Sequence, residues 1–198
     1  MKFIITVLAT ALSLVLSPLA AQNFDKGLKA HDAGNYDTAL REWEPLAEQG
    51  NIEAQYNLGF MYDNGQGLTQ DKAEAVKWYR LAAEQAHGDA QLNLGAIYRN
   101  GIGVPQNFVE AANWYRLAAE QGNAIAQDNL GILYYFGDGV TQSNLTAYMW
   151  INLAFANGAP EAGVRRDFIA EEMAKSDISK AQDMSKECIS SAYTKCGN

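Results

Sequence analysis

The sequence has few of the residues that most often carry metal-dependent or nucleophilic chemistry. Its 198 residues include only two histidines and two cysteines. A catalytic or metal-binding histidine needs a further group to position it, and neither His31 nor His87 has an H-x-x-x-H or cysteine partner. We therefore expect no catalytic residue, no metal site and no cofactor, and we expect both histidines to be ordinary surface residues near turns.

Basic residues are also scarce. The chain has 15 lysines and arginines against 23 acidic residues, which gives a formal net charge of −8. No cluster of basic residues offsets this charge, and such a surface repels phosphate backbones and anionic lipid headgroups. We predict that nucleic acid is not a partner.

Long apolar runs are confined to the N-terminus. Lys2 is followed by an uncharged stretch over 3–16, and then by Pro18 and the small residues Ala20 and Ala21. A stretch of about 14 residues is shorter than the roughly 20 that span a membrane. The pattern predicts a signal peptide over 1–21, with an uncleaved anchor as the alternative. We therefore expect a periplasmic or secreted protein with no integral membrane segment after cleavage.

The two cysteines, Cys188 and Cys196, lie near the C-terminus. An exported protein meets an oxidising compartment, in which disulfides persist. One continuous helix would hold the two residues about 12 Å apart, too far to bond. We predict a disulfide with the last helix ending between them, while free or intermolecular thiols remain the alternative.

A short motif recurs at a fixed spacing along the middle of the chain. The sequence A-Q-x-N-L-G occupies 54–59, 90–95 and 126–131, which are 36 residues apart. A unit of this length repeated at a constant period is typical of a solenoid, in which each unit buries its apolar face against its neighbours.

Each repeat reads as two helices. In the first helix, the apolar residues share one face, and glycines such as Gly65 follow where the helix should end. The second helix carries the same apolar spacing and a tryptophan that we expect in the core or at its edge. Gly59 and its copies Gly95 and Gly131 lie in mid-helix at a cost of about 1 kcal/mol each, so a neighbouring side chain should need the space.

The pattern A-x-x-x-L-G-x-x-Y-x-x-G-x-G-V/L, followed by A-x-x-W-Y-x-x-A-A-x-Q-G, resembles the Sel1-like repeat family, which is related to the tetratricopeptide repeats. The resemblance implies an all-α fold, a right-handed α/α solenoid of antiparallel helix pairs. It divides the chain into a tetratricopeptide-like first pair at 22–51 and Sel1-like repeats at 52–87, 88–123 and 124–159. The segment at 160–198, which contains the cysteine pair, lacks the repeat signature and is rich in charge, so we expect C-terminal capping helices there.

Positions that change between the copies are candidates for binding. On the first helix of each repeat, they fall at spacings of 3, 4 and 3, which places them on one face. We predict that this face is the concave, protein-binding surface. An alternative is that residues such as Phe60, Ala96 and Ile132 only fill gaps between neighbouring repeats. The candidate protein-binding residues are Tyr56, Phe60, Asp63, Leu92, Arg99, Asp128 and Tyr135.

The resemblance implies a scaffold or adaptor. The predicted signal peptide leads us to expect it in the bacterial envelope or outside the cell, and the lack of catalytic motifs leads us to expect that it is not an enzyme. We expect a monomer that binds an unidentified protein or peptide. Some cysteine-rich exported relatives are associated with β-lactam binding or hydrolysis, which is the alternative function. Those relatives carry a cysteine pair in each repeat, which this chain lacks, and no S-x-x-K, S-D-N or K-T-G motif occurs.

Overall fold

The computed structural model describes residues 18–196, and α-helices are the regular secondary structure found there. Within this range no helix is both long and apolar enough to cross a membrane. Most of the predicted signal peptide, residues 1–17, lies outside the described residues. In chain order the helices are α1 Pro18–Asp32, α2 Tyr36–Glu48, α3 Ile52–Asn64, α4 Lys72–Glu84, α5 Gly88–Asn100, α6 Phe108–Ala119, α7 Ala124–Phe136, α8 Asn144–Ala156, α9 Pro160–Glu171 and α10 Lys175–Ser190.

The helix ends follow the local sequence. Gly65, Gly101 and Gly137 end α3, α5 and α7 in the left-handed conformation, with φ of 68°, 69° and 78°. This confirms the prediction that these glycines stop the first helix of each repeat. At the other end, Asn51 and Asn123 accept a hydrogen bond from the backbone N–H three residues later, which caps α3 and α7.

Consecutive helices pack as antiparallel pairs, and the second helix of each repeat also packs on the first helix of the next one. The mid-helix glycines allow this close approach. A Cβ atom built on Gly59 would lie 2.7 Å from the Tyr79 ring, and one on Gly95 would overlap Tyr115. The prediction that a neighbouring side chain needs the space is therefore confirmed, as is the all-α solenoid of helix pairs.

The core runs the length of the solenoid and is rich in alanine. Trp43 and Trp150 are fully buried, Trp114 is nearly so, and Trp78 packs against the core from its edge. The expectation that the repeat tryptophans lie in the core or at its edge is confirmed.

The C-terminal helices depart from the repeating arrangement. Both α9 and α10 pack on α8. Ser185 of α10 donates a hydrogen bond from Oγ to the Met149 carbonyl oxygen of α8, at 3.2 Å. The helix ends at Ser190, and the chain turns back so that Cys188 and Cys196 form a disulfide with their Cα atoms 4.6 Å apart. The predicted pairing and the predicted helix end between the cysteines are both found.

Candidate protein-binding surface

The first helices of the repeats, α3, α5 and α7, together with α9, form what we call the first-helix surface. The seven candidate residues lie along it, but they do not converge on one site. Tyr56 stacks on His87, with ring centroids 4.4 Å apart, and Phe60 meets the His31 ring edge-on at 6.3 Å. Both contacts join one helix pair to a neighbouring pair.

The charged candidates are held by ion pairs and hydrogen bonds within the chain. Asp63 lies 2.7 Å from Nζ of Lys72, and Arg99 donates a hydrogen bond to Oδ1 of Asn129 in the next repeat at 3.0 Å. Asp128 is only 9% exposed.

The contacts of Asp128 and Tyr135 join neighbouring helix pairs. Asp128 accepts a hydrogen bond from Nε of Arg165 at 2.8 Å, and Leu92 packs partly buried against the core. The Tyr135 hydroxyl donates a hydrogen bond to Oε1 of Glu172 at 3.1 Å. Partial burial is the larger cause of the raised pKa of Tyr135, and the Glu172 carboxylate is the smaller one. These residues are therefore less exposed than we expected, and a binding role for them stays a prediction.

The expectation that the histidines are ordinary surface residues is wrong. The His31 side chain packs among Tyr36, Trp43 and Phe60, and its Nε2 lies 2.9 Å from Oε1 of Gln66. These contacts bury most of the His31 side chain, which is 22% exposed.

His87 occupies the N-cap position of α5, where the equivalent helices have asparagine. Its Nδ1 accepts a hydrogen bond from the Ala90 N–H at 3.2 Å, and Nε2 lies 3.4 Å from Glu53. A shallow, polar depression of about 400 Å³ surrounds the ring. Both ring nitrogens are thus occupied within the chain, and among the residues described no group of three or more histidine, cysteine or acidic side chains could hold a metal ion.

A ladder of side-chain amides, with one buried glutamine in each repeat, could not be seen in the sequence. Gln91 of α5 donates a hydrogen bond from Nε2 to the Ala83 carbonyl oxygen at 3.0 Å and accepts one from Gln121 at 2.7 Å. Only half of each contact shows in the sequence, because a glutamine recurs within each A-Q-x-N-L-G motif but its partner lies 30 residues away. The same contacts recur around Gln55 with Gln85 and around Gln127 with Asn157.

The C-terminal turn makes a hydrogen bond to Asn157, the last amide of the ladder. The Tyr193 hydroxyl donates to Oδ1 of Asn157 at 2.9 Å, and its ring lies against Gly122. Tyr193 belongs to the segment that the Cys188–Cys196 disulfide encloses. The disulfide therefore holds Tyr193 in the segment from which it binds Asn157.

An apolar groove opens between α7 and α9 at the C-terminal end of the first-helix surface. Phe136 is 64% exposed and Phe168 is 55% exposed, although each side chain is large and apolar. The sequence analysis missed both residues, because Phe168 lies outside the repeats and Phe136 was not among the compared positions. The α7–α9 groove encloses about 130 Å³ and is lined by Ile132, Tyr135, Phe136, Ile151, Arg165, Phe168 and Ile169.

The sequence model of the Sel1 repeat family matches residues 52–87, 88–123 and 124–158, which together make up more than half of the chain. The chain belongs to the Sel1 repeat family. This agrees with the resemblance carried by the repeated motif, and Sel1 repeats generally mediate protein–protein interactions.

Two solved structures share this fold. A Sel1 repeat protein from Oxalobacter formigenes aligns with a TM-score of 0.61 and 36% identity, covering 65% of this chain and 97% of that one. A protective antigen present in uropathogenic Escherichia coli strains, which displays an SLR fold, aligns with a TM-score of 0.61 and 26% identity, covering 88% of this chain and 47% of that one.

A curated relative is similar over a shorter stretch. An exopolysaccharide production negative regulator from Rhizobium leguminosarum bv. viciae is 38% identical over 56 residues, which is 28% of this chain. The match spans about a fifth of the regulator's length.

Proposed function

We propose that this chain is a non-catalytic scaffold or adaptor that binds a protein or peptide on its first-helix surface, the concave face of the solenoid. The observation that carries the proposal is the α7–α9 groove, where Phe136 and Phe168 both line the groove and stay more than half exposed. Exposed clusters of large apolar side chains on a soluble domain mark interaction sites, because exposing them to water is unfavourable.

The seven candidate residues have a supporting role in this proposal. Arg99 and Asp128 hold neighbouring helix pairs together, so substituting them would disturb the solenoid as well as any contact with a partner. The exposed phenylalanines make a cleaner test, since they are not needed for those contacts.

We also propose that the chain is exported to the periplasm or secreted and that it acts as a monomer. The uncharged stretch over 3–16 after Lys2 supports export, and the Cys188–Cys196 disulfide suits an oxidising compartment. N-terminal sequencing of the chain from fractionated cells should find a start at residue 21 or 22 in the exported fraction. An intact Met1 in the cytoplasmic fraction would contradict export.

The binding proposal is tested by affinity capture with the chain lacking its first 21 residues. Phe136→Ser with Phe168→Ser should remove the partner that the unchanged chain retains. The matched control is Val109→Ser with Leu117→Ser, which replaces two exposed apolar residues on α6. We expect the control to retain the partner, with circular dichroism showing that both variants are folded.

Equal retention by both variants would overturn the assignment of the binding face. Turnover of nitrocefin above background by the purified chain would instead overturn the non-catalytic part of the proposal and favour the β-lactam alternative.

A further inference from the structure

We propose that the α7–α9 groove receives one large apolar side chain, such as leucine or phenylalanine, from a partner segment that carries a lysine or arginine beside it. This inference rests on the proposed protein-binding function and specifies the chemistry of the partner.

The size of the groove suits a single side chain. Its volume of about 130 Å³ is well below the roughly 300 Å³ at which sites for drug-sized molecules begin. An apolar cavity of about 150 Å³ in another protein takes one benzene ring. The walls are apolar side chains from both helices, among them Ile132, Phe136, Phe168 and Ile169.

Contacts within the chain support the walls of the groove. The Tyr135 ring lies edge-on to Phe136 at 5.0 Å and to Phe168 at 6.1 Å. Its hydroxyl is held by Glu172 at 3.1 Å. A preformed groove costs little conformational entropy on binding, so even a single anchoring side chain gains measurable affinity.

The charge around the groove favours a cation beside the anchor. Arg165 lines the groove, but its guanidinium is paired with Asp128. Glu172 accepts hydrogen bonds from the neutral donors Tyr135 and Asn144, and no lysine or arginine among residues 18–196 forms an ion pair with it. Glu172, which is joined to the groove through the Tyr135 hydroxyl, therefore keeps a negative charge that no lysine or arginine of the described residues pairs with. With a chain charge of −8, it attracts a basic segment and repels a second copy of itself.

The test uses blocked synthetic hexapeptides of glycine and serine with a central Leu-Lys, Leu-Glu or Ala-Lys pair. Binding to the isotope-labelled chain lacking its first 21 residues is followed by NMR chemical shifts. We expect the Leu-Lys peptide to shift the Phe136 and Phe168 amides with a Kd on the order of 1 mM. The Ala-Lys peptide should bind about tenfold more weakly, and the Leu-Glu peptide about three- to fivefold more weakly.

Two variants separate the two parts of the proposal. Glu172→Gln should abolish the preference for Leu-Lys over Leu-Glu while keeping the preference for leucine over alanine. Phe168→Ser should weaken all three peptides to the same low level. Val109→Ser should change neither preference.

Several results would overturn the inference. They are equal affinity for the leucine and alanine peptides, equal affinity for the lysine and glutamate peptides, or shifts that map to other helices. Concentration-dependent shifts of the Phe136 amide without peptide would assign the groove to a second copy of the chain instead. If the peptides show no preference while Phe136→Ser with Phe168→Ser still loses the captured partner, the inference fails and the proposed function stands.

Discussion

Ala86, which follows α4, has a backbone conformation that suits glycine. Its φ is +66°, and the residues at the equivalent ends of α2, α6 and α8 are Gly50, Gly122 and Gly158, all with positive φ. A residue with a Cβ atom in this region makes the folded chain less stable than glycine does, by about 1–2 kcal/mol. Glycine also favours the unfolded chain, because it makes that chain more flexible, and this offsets about 0.4–1 kcal/mol of the difference. We therefore expect Ala86→Gly to raise the free energy of unfolding by about 0.5–1 kcal/mol, or the Tm by about 1–4 °C.

The assay is urea and thermal unfolding followed by circular dichroism at the helical band. Ala86 is exposed, so the substitution removes no buried contact. The matched control is Gly50→Ala, where φ is +90° and nothing lies within 4 Å of an added Cβ atom. It should lower stability by a similar amount. A neutral or destabilising Ala86→Gly, together with an unchanged Gly50→Ala, would refute the reasoning from backbone conformation.

Three further predictions concern packing, the disulfide and pH. Replacing Cys188 and Cys196 with serine should lower the free energy of unfolding by about 2.5 kcal/mol; a urea midpoint equal to that of the oxidised chain would contradict this. Gly95→Ala should cost about 1–3 kcal/mol because the added methyl group overlaps the Tyr115 ring, whereas a higher Tm would show that the helix tolerates it. Burial raises the pKa of Tyr79 well above its ordinary value, so the folded chain holds the phenolic proton more tightly than the unfolded chain. The resulting stability is complete below about pH 10 and falls as the pH rises further. Tyr79→Phe should therefore flatten the loss of Tm between pH 10 and 12, and parallel curves would count against the shift.

Local rules explain how much of the fold could be predicted. The helix ends at Gly65, Gly101 and Gly137 follow from the left-handed conformation that glycine adopts easily, which is encoded at a single position. The mid-helix Gly59 implied a close neighbour because glycine is less favourable than alanine inside a helix, so its recurrence there needs a reason such as close packing. The disulfide followed from two residues in one short segment. For the helix ends and the disulfide, the physical cause lies within a few residues of its effect, whereas the neighbour that Gly59 implied, Tyr79, lies on the next helix.

The candidate surface was harder to predict because it depends on contacts between distant segments. Variation between copies marked Asp128 as a binding residue, but the variation reflects a different neighbour, since Arg165 of α9 pairs with it. The amide ladder joins residues 30 positions apart, so the recurring Gln91 gave no sign of its partner. The exposed Phe168 belongs to a helix that occurs once, so comparing copies could not reveal it.

Site-specific photo-crosslinking in living cells shows whether the first-helix surface binds a protein partner at the α7–α9 groove. A photoreactive phenylalanine derivative is placed at position 136 or 168, and at Val109 on α6 as the control. We expect one crosslinked partner from positions 136 and 168 and none from position 109. The same partner crosslinked equally from position 109, or no product from either groove position while the chain is folded and in its normal compartment, would contradict this expectation.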